Sequence, residues 1–134
     1  MMEEREESKE RLVYEYAVIR YVPRVEREEF INVGLLMMCK RLKWIKAKIW
    51  LDPAKLAVFN CTHSVDEIRN QFSGFLKVAS GDRSGGPMSE LPVEERFRWL
   101  AAVKSACLAT SRPHPGLTSD PEATFSHLFA EQVI

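Results

Sequence analysis

The chain lacks the features that announce several large classes of protein. No run approaches the eighteen or so apolar residues of a membrane span. The N-terminus opens on Glu3, Glu4, Arg5, Glu6 and Glu7 where a secretion signal has a basic and then an apolar stretch. Cysteine is scarce: Cys39, Cys61 and Cys107 are odd in number, far apart and without a Cys-x-x-Cys, which argues against a disulfide framework or a thiolate zinc site. They fit reduced, buried thiols of a cytoplasmic protein. Neither charge is in excess, since 19 Lys and Arg balance 19 Asp and Glu, so the basic field of a dedicated nucleic-acid or membrane-surface binder is missing. The Gly85-Gly86-Pro87 stretch has neither the lysine nor the spacing of a phosphate loop. No His, Cys, Asp or Glu set has metal-ligand spacing, and neither metal nor cofactor is expected.

What is present suits one globular domain of 134 residues, 46% hydrophobic and 10% aromatic, long enough to bury roughly two-thirds of its unfolded surface. Residues 1–11 are mostly charged and read as a flexible leader, and 12–134 as a single domain. Val13 to Val22 is rich in β-branched and aromatic residues and stops at Pro23, which predicts a strand. Phe30 to Cys39 is apolar on both pleat faces, as in a central strand. Trp44 to Leu51 alternates, setting Ile45, Ala47, Ile49 and Leu51 on one face and Lys46, Lys48 and Trp50 on a wet one.

Asp52-Pro53, the capping box Ser64-Val65-Asp66-Glu67, a start near Pro92 and Asp120-Pro121 each predict a helix. Ser105 to Thr110 reads as a fourth strand and Ser111 to Ser119 as a proline-rich turn region. Strands first and helices later predict an α+β fold, in which three to four helices cover an antiparallel sheet of three to four strands with a meander at its N-terminus.

A hairpin around Pro23 to Glu29 with Tyr21 near Ile31 sets Arg20 opposite Asn32 and Val18 opposite Gly34. An arginine fork beside an amide, next to a glycine that leaves room for approach, makes a compact anion or carboxylate site. In the plainer alternative Arg20 pairs with Glu28 or Glu29 and braces the hairpin. A second group comprises Lys104-Ser105 and Ser111 to Gly116. There His114, flanked by prolines, presents a stiffly held imidazole suited to a general base or a phosphate contact, or simply braces its loop. Ser105, His114 and Asp120 also match the residue types of a hydrolytic triad, but no nucleophile elbow surrounds Ser105. The candidate anion- or ligand-binding residues are therefore Arg20, Glu28, Asn32, Lys104, Ser105 and His114. Trp44, Lys46, Lys48 and Trp50 form an aromatic and basic strip chemically suited to nucleic acid. Edge strands use lysines against unwanted pairing, and in a neutral chain that reading is preferred.

Tyr14 to Gly34, Glu95-Arg96-Phe97-Arg98-Trp99-Leu100 and His114-Pro115-Gly116-Leu117 before Asp120-Pro121-Glu122 together resemble the bacterial domain-of-unknown-function family 3037. The resemblance implies a bacterial cytoplasmic protein from a family whose members are often encoded beside a HipA-like serine/threonine kinase, and it implies no reaction. Family members usually read Pro-Arg-Ser where this chain has Val103-Lys104-Ser105, so the bidentate fork is lost at Lys104. The expectation is a non-catalytic binding or accessory module for such a kinase. The alternatives are a small enzyme or ligand-binding domain for an anionic, phosphate-bearing substrate, and a weak nucleic-acid binder.

Overall fold

The computed structural model describes residues 10–59, 63–105 and 107–134; most of the charged leader and Cys61 lie outside the described residues. β1 (Leu12–Tyr21) runs into Pro23, which ends its ladder, and a short helical turn at Val25–Arg27 reverses the chain. Glu28, in the left-handed region at φ 55°, completes the reversal into β2 (Ile31–Cys39). A tight turn, closed by the Lys43 amide donating to the Lys40 carbonyl at 3.0 Å, leads to β3 (Trp44–Ile49). The three strands form the expected antiparallel meander.

Each helix starts where the sequence predicts, three of them at a side-chain cap. The Asp52 carboxylate accepts from the Ala54 amide at 3.0 Å and opens α1 (Pro53–Val58). Ser64 and Glu67 exchange bonds of 2.9 and 3.1 Å at the start of α2 (Val65–Ser80), which ends at Gly81 with φ 78°. α3 spans Val93–Ala101. The Asp120 carboxylate accepts from the Ala123 amide and opens α4 (Pro121–Gln132).

The sheet is covered on both faces. Ile19, Tyr21, Val33, Leu36 and Met38 face α2 and α3, where Ile68, Phe72, Phe75, Phe97 and Leu100 meet them. Leu35 and Met37 face α4, meeting Phe125, Leu128 and Phe129. Burial of each such side chain contributes about 1.5–3 kcal/mol, and β2, apolar on both sides, is the centre of both layers.

The structure departs from the sequence reading in four places. The sheet has five strands, because His114–Thr118, read as turn, is a strand, β5. It pairs with β1 alone, so it lies at an edge, where Pro115 is tolerated. β4 is shorter than expected, Leu108–Thr110, and pairs with Ile19 to Tyr21. Between β4 and β5 the buried Ser111 keeps the ladder going, its amide donating to the Val18 carbonyl and its Oγ accepting from the Val18 amide, both at 2.9 Å. Finally, Tyr21 pairs with Ile31 and Arg20 with Asn32 as expected, but Val18 pairs with Leu35 and Ile19 with Gly34. Val33 is the extra residue of a bulge that advances the register by one.

Candidate functional site

The Arg20 and Asn32 rung lies on the α4 face of the sheet, where that helix ends. Arg20 Nε donates to Asn32 Oδ1 at 3.4 Å, and Asn32 Nδ2 donates to the Gln132 carbonyl at 3.1 Å. The amide is thereby fixed with its oxygen toward the guanidinium. The Arg20 Cζ sits 4.0 Å from the Phe30 ring centroid, a cation–π geometry. Phe30 is two residues before Asn32 and so shares its pleat face; that spacing is the sequence signal by which it could have been found. Burial lowers the guanidinium pKa from its ordinary value.

The hairpin brace expected of Arg20 with Glu28 or Glu29 is absent among the described residues. Arg27 instead pairs with Glu29 at 2.8 Å, and Glu28 is an exposed turn residue. Nor does Gly34 open space beside Arg20. A Cβ there would lie 2.4 Å from the Lys48 carbonyl oxygen and 2.9 Å from Ile49 Cγ2, so the glycine is required by the close approach of β3.

His114 is exposed and opens β5 opposite Tyr16, with its ring 5.3 Å from the tyrosine ring. Tyr16 and Arg20 are four residues apart on one strand, about 13 Å by the strand rise, so imidazole and guanidinium occupy separate places. Lys104 and Ser105 are exposed in the segment before β4. Ser105 Oγ accepts from the Leu108 amide at 3.2 Å and shapes the entry to that strand. No hydrogen bond joins any two of Ser105, His114 and Asp120, and the Asp120 carboxylate is engaged as a helix cap. Burial raises the Cys107 thiol above its ordinary value, only partly offset by Ser105, which leaves it a poor nucleophile. The six candidates thus fall in separate places: Arg20 with Asn32, Glu28 at the hairpin turn, Lys104 with Ser105, and His114.

The aromatic and basic strip is not a free surface. Trp44 Nε1 and Lys46 Nζ donate to the Glu122 carboxylate at 3.1 and 2.9 Å, and Lys46 and Lys48 lie over the rings of Phe125 and Phe129. The face expected to be wet is therefore partly covered by α4.

Motif residues elsewhere do similar structural work. Arg98 grips Glu15 through both carboxylate oxygens, tying α3 to β1. Arg96 Nη1 donates to the Val78 and Ala79 carbonyls at 3.3 and 3.0 Å and so caps the end of α2. Gly116 lies beneath the Tyr14 ring, whose Cζ is 2.5 Å from where its Cβ would stand.

Two shallow clefts share Phe59 at this end of the sheet, and the first borders Phe30 and Asn32, two side chains that contact Arg20. One, of about 290 Å³, is lined by Phe30, Asn32, Lys55, Phe59 and Val133; the other, of about 400 Å³, by Pro23, Arg24, Arg27, Val58 and Phe59. Phe30, Val58 and Phe59 are 44%, 82% and 36% exposed, a grouping of apolar surface that the core does not need. Sequence reasoning missed Lys55, Val58 and Phe59, which short-range pattern assigns simply to a helix. Among the described residues no cluster of three or more His, Cys, Asp or Glu is placed to hold a metal, and no helix is long and apolar enough to cross a membrane.

A family model described as "Protein of unknown function (DUF3037)" matches residues 16–133. No curated protein and no solved structure matches the chain.

Proposed function

We propose that this chain, which belongs to the DUF3037 family, is a non-catalytic binding or accessory module for a HipA-like kinase. The observation that carries the reading is the disposition of its polar motif residues. Arg96, Arg98, Glu15 and Ser111 are engaged in holding helices and strands together, no serine, threonine or cysteine is hydrogen-bonded to a histidine among the described residues, and the Tyr21 hydroxyl that lies 3.1 Å from His63 Nδ1 belongs to a fully buried side chain. Of the exposed large apolar side chains, Phe30, Val58 and Phe59 gather at one end of the sheet around two shallow clefts, and Phe30 carries the Arg20 guanidinium on its ring. Shallow clefts with exposed aromatics suit a polypeptide surface better than a small substrate, which favours deep enclosure. The kinase is the partner class that the family resemblance implies, and a bacterial cytoplasmic setting goes with it.

The test is size-exclusion chromatography of the chain with a HipA-like kinase from the same genome, together with an assay of that kinase. Co-elution, or a change in phosphorylation rate on adding the chain, is the expected outcome. Separate elution with unchanged kinase activity overturns the proposal.

A further inference from the structure

A guanidinium has five N–H donors. In Arg20 only Nε is used among the described residues, on Asn32 Oδ1, while Nη1 and Nη2 have no acceptor there. The group is half-buried and its plane is supported by Phe30. Its hydrogen-bonding amide is itself held by the end of α4. Across the other rung its neighbour is Ala109, whose methyl leaves that flank uncrowded. A partly desolvated cation without a counter-ion is costly, and the cost is relieved when a carboxylate arrives from outside and accepts from both terminal nitrogens. Burial lowers the pKa of this group, and no neighbouring carboxylate opposes the shift.

The surroundings narrow the class of ligand. Two acids line the clefts: Glu29 is paired with Arg27 at 2.8 Å, and the exposed Glu131 lies 3.3 Å from His127, which neutralises it only when that imidazole is protonated. Arg24 and Lys55 line the two clefts and make no ion pair within 4 Å among the described residues, although the Arg24 charge acts on Glu29; Lys55 donates to the Val133 carbonyl at 2.9 Å. Cationic groups therefore flank the apolar walls made by Phe30, Val58 and Phe59. A free phosphate would leave those walls unused, whereas a peptide with an acidic side chain beside an apolar one uses both.

We infer that the Arg20 fork receives a carboxylate from an acidic peptide segment of the partner, with an adjoining apolar side chain seated between Phe30 and Phe59. This inference rests on the binding-module reading and names the partner chemistry at that site. Asn32 acts as a positioning residue, since it holds the guanidinium without touching the carboxylate.

Two arms test it. In the first, the Arg20 Nε–Hε signal of the ¹⁵N-labelled full chain is followed by NMR while N-acetyl-Phe-Glu-amide, N-acetyl-Phe-Gln-amide or inorganic phosphate is added. The acidic peptide is expected to give a saturable shift at the Arg20 Nε–Hε and at the Phe30 backbone amide, at least tenfold weaker with the Gln peptide and, read at the Phe30 amide, in Arg20→Lys. No shift up to about 10 mM, well above the ~1 mM dissociation constant expected for so small a ligand, overturns the inference. An equal or larger response to phosphate also overturns it, by assigning the site to phosphate. In the second arm the kinase co-elution is repeated with Arg20→Lys. A complex as stable as the wild type's refutes the role of Arg20 while leaving the module reading intact. Failure of wild type to bind the kinase, with the peptide still shifting Arg20, refutes the kinase reading and supports the carboxylate site.

Discussion

Replacing Gly34 by alanine tests the central packing of the sheet more sharply than any core truncation. The new methyl would sit 2.4 Å from the Lys48 carbonyl oxygen, 2.9 Å from Ile49 Cγ2 and 3.2 Å from Ile19 Cδ1. A comfortable contact needs about 3.4 Å or more, so β2 and β3 must part by roughly 1 Å at the end rung of a six-pair ladder, beside the bond from the Trp50 amide to the Val33 carbonyl. The nearest obstacle is backbone, which cannot rotate away as a side chain does. The cost therefore falls near the upper end of the 1–3 kcal/mol typical of overpacking, about 3 kcal/mol. At about 4 °C per kcal/mol for a chain of this length, Tm falls by roughly 12 °C.

Two companion glycines bracket that figure. A Cβ on Gly116 would meet only the far end of the Tyr14 side chain, which can swing aside, so Gly116→Ala loses about 1 kcal/mol. Gly74, exposed within α2, has nothing within 4 Å of its Cβ position, and Gly74→Ala gains about 0.5–1 kcal/mol. Urea unfolding of the three variants measures all of this, with the midpoint moving and the slope unchanged. A Gly34→Ala loss below about 1 kcal/mol, or the order of the three variants reversed, refutes the reasoning.

Other consequences can be checked with the same assay. Arg96→Leu removes the cap from the Val78 and Ala79 carbonyls and is expected to lose about 1–2 kcal/mol, with Arg96→Lys recovering part of it. A double-mutant cycle on Glu15 and Arg98 should give a coupling of only about 0.5–1 kcal/mol, because the Arg98 side chain is 57% exposed. Hydrogen bonds from Lys46 and then Trp44 hold the Glu122 carboxyl below its ordinary 4.5. The unfolded chain thus binds more protons here as pH falls, so this contribution is complete above that value and is lost as pH drops through the folded one. Glu122→Gln should therefore show a smaller loss of stability than wild type between about pH 5 and pH 3.

Much of the scaffold was legible because its signals are local. Two-sided apolarity marked β2 as central, and Asp52-Pro53, Ser64 to Glu67 and Asp120-Pro121 marked three helix starts through bonds made within a few residues. The Arg20 and Asn32 pairing followed from period-two alternation and the Tyr21 to Ile31 register. What escaped depends on distant chain. Nothing in Val33-Gly34 announces a bulge, because the reason for the glycine is the carbonyl of Lys48 on the next strand. β5 hid behind its prolines, since an edge strand can do without a donor that a central one needs. The strip from Trp44 to Lys48 had the right periodicity, but its cover is a helix more than seventy residues later. His114 shared a plausible chemistry with Arg20, and only the pairing of β4 and β5 to opposite ends of β1 separates them.

Hydrogen–deuterium exchange of the chain, alone and with the HipA-like kinase, puts the proposed surface to the most direct test. Slowed exchange is predicted over residues 24–32 and 53–59, which contribute Phe30, Val58 and Phe59 to the clefts beside Arg20. Protection confined to β5 or α3, or identical exchange with and without the kinase, contradicts the account.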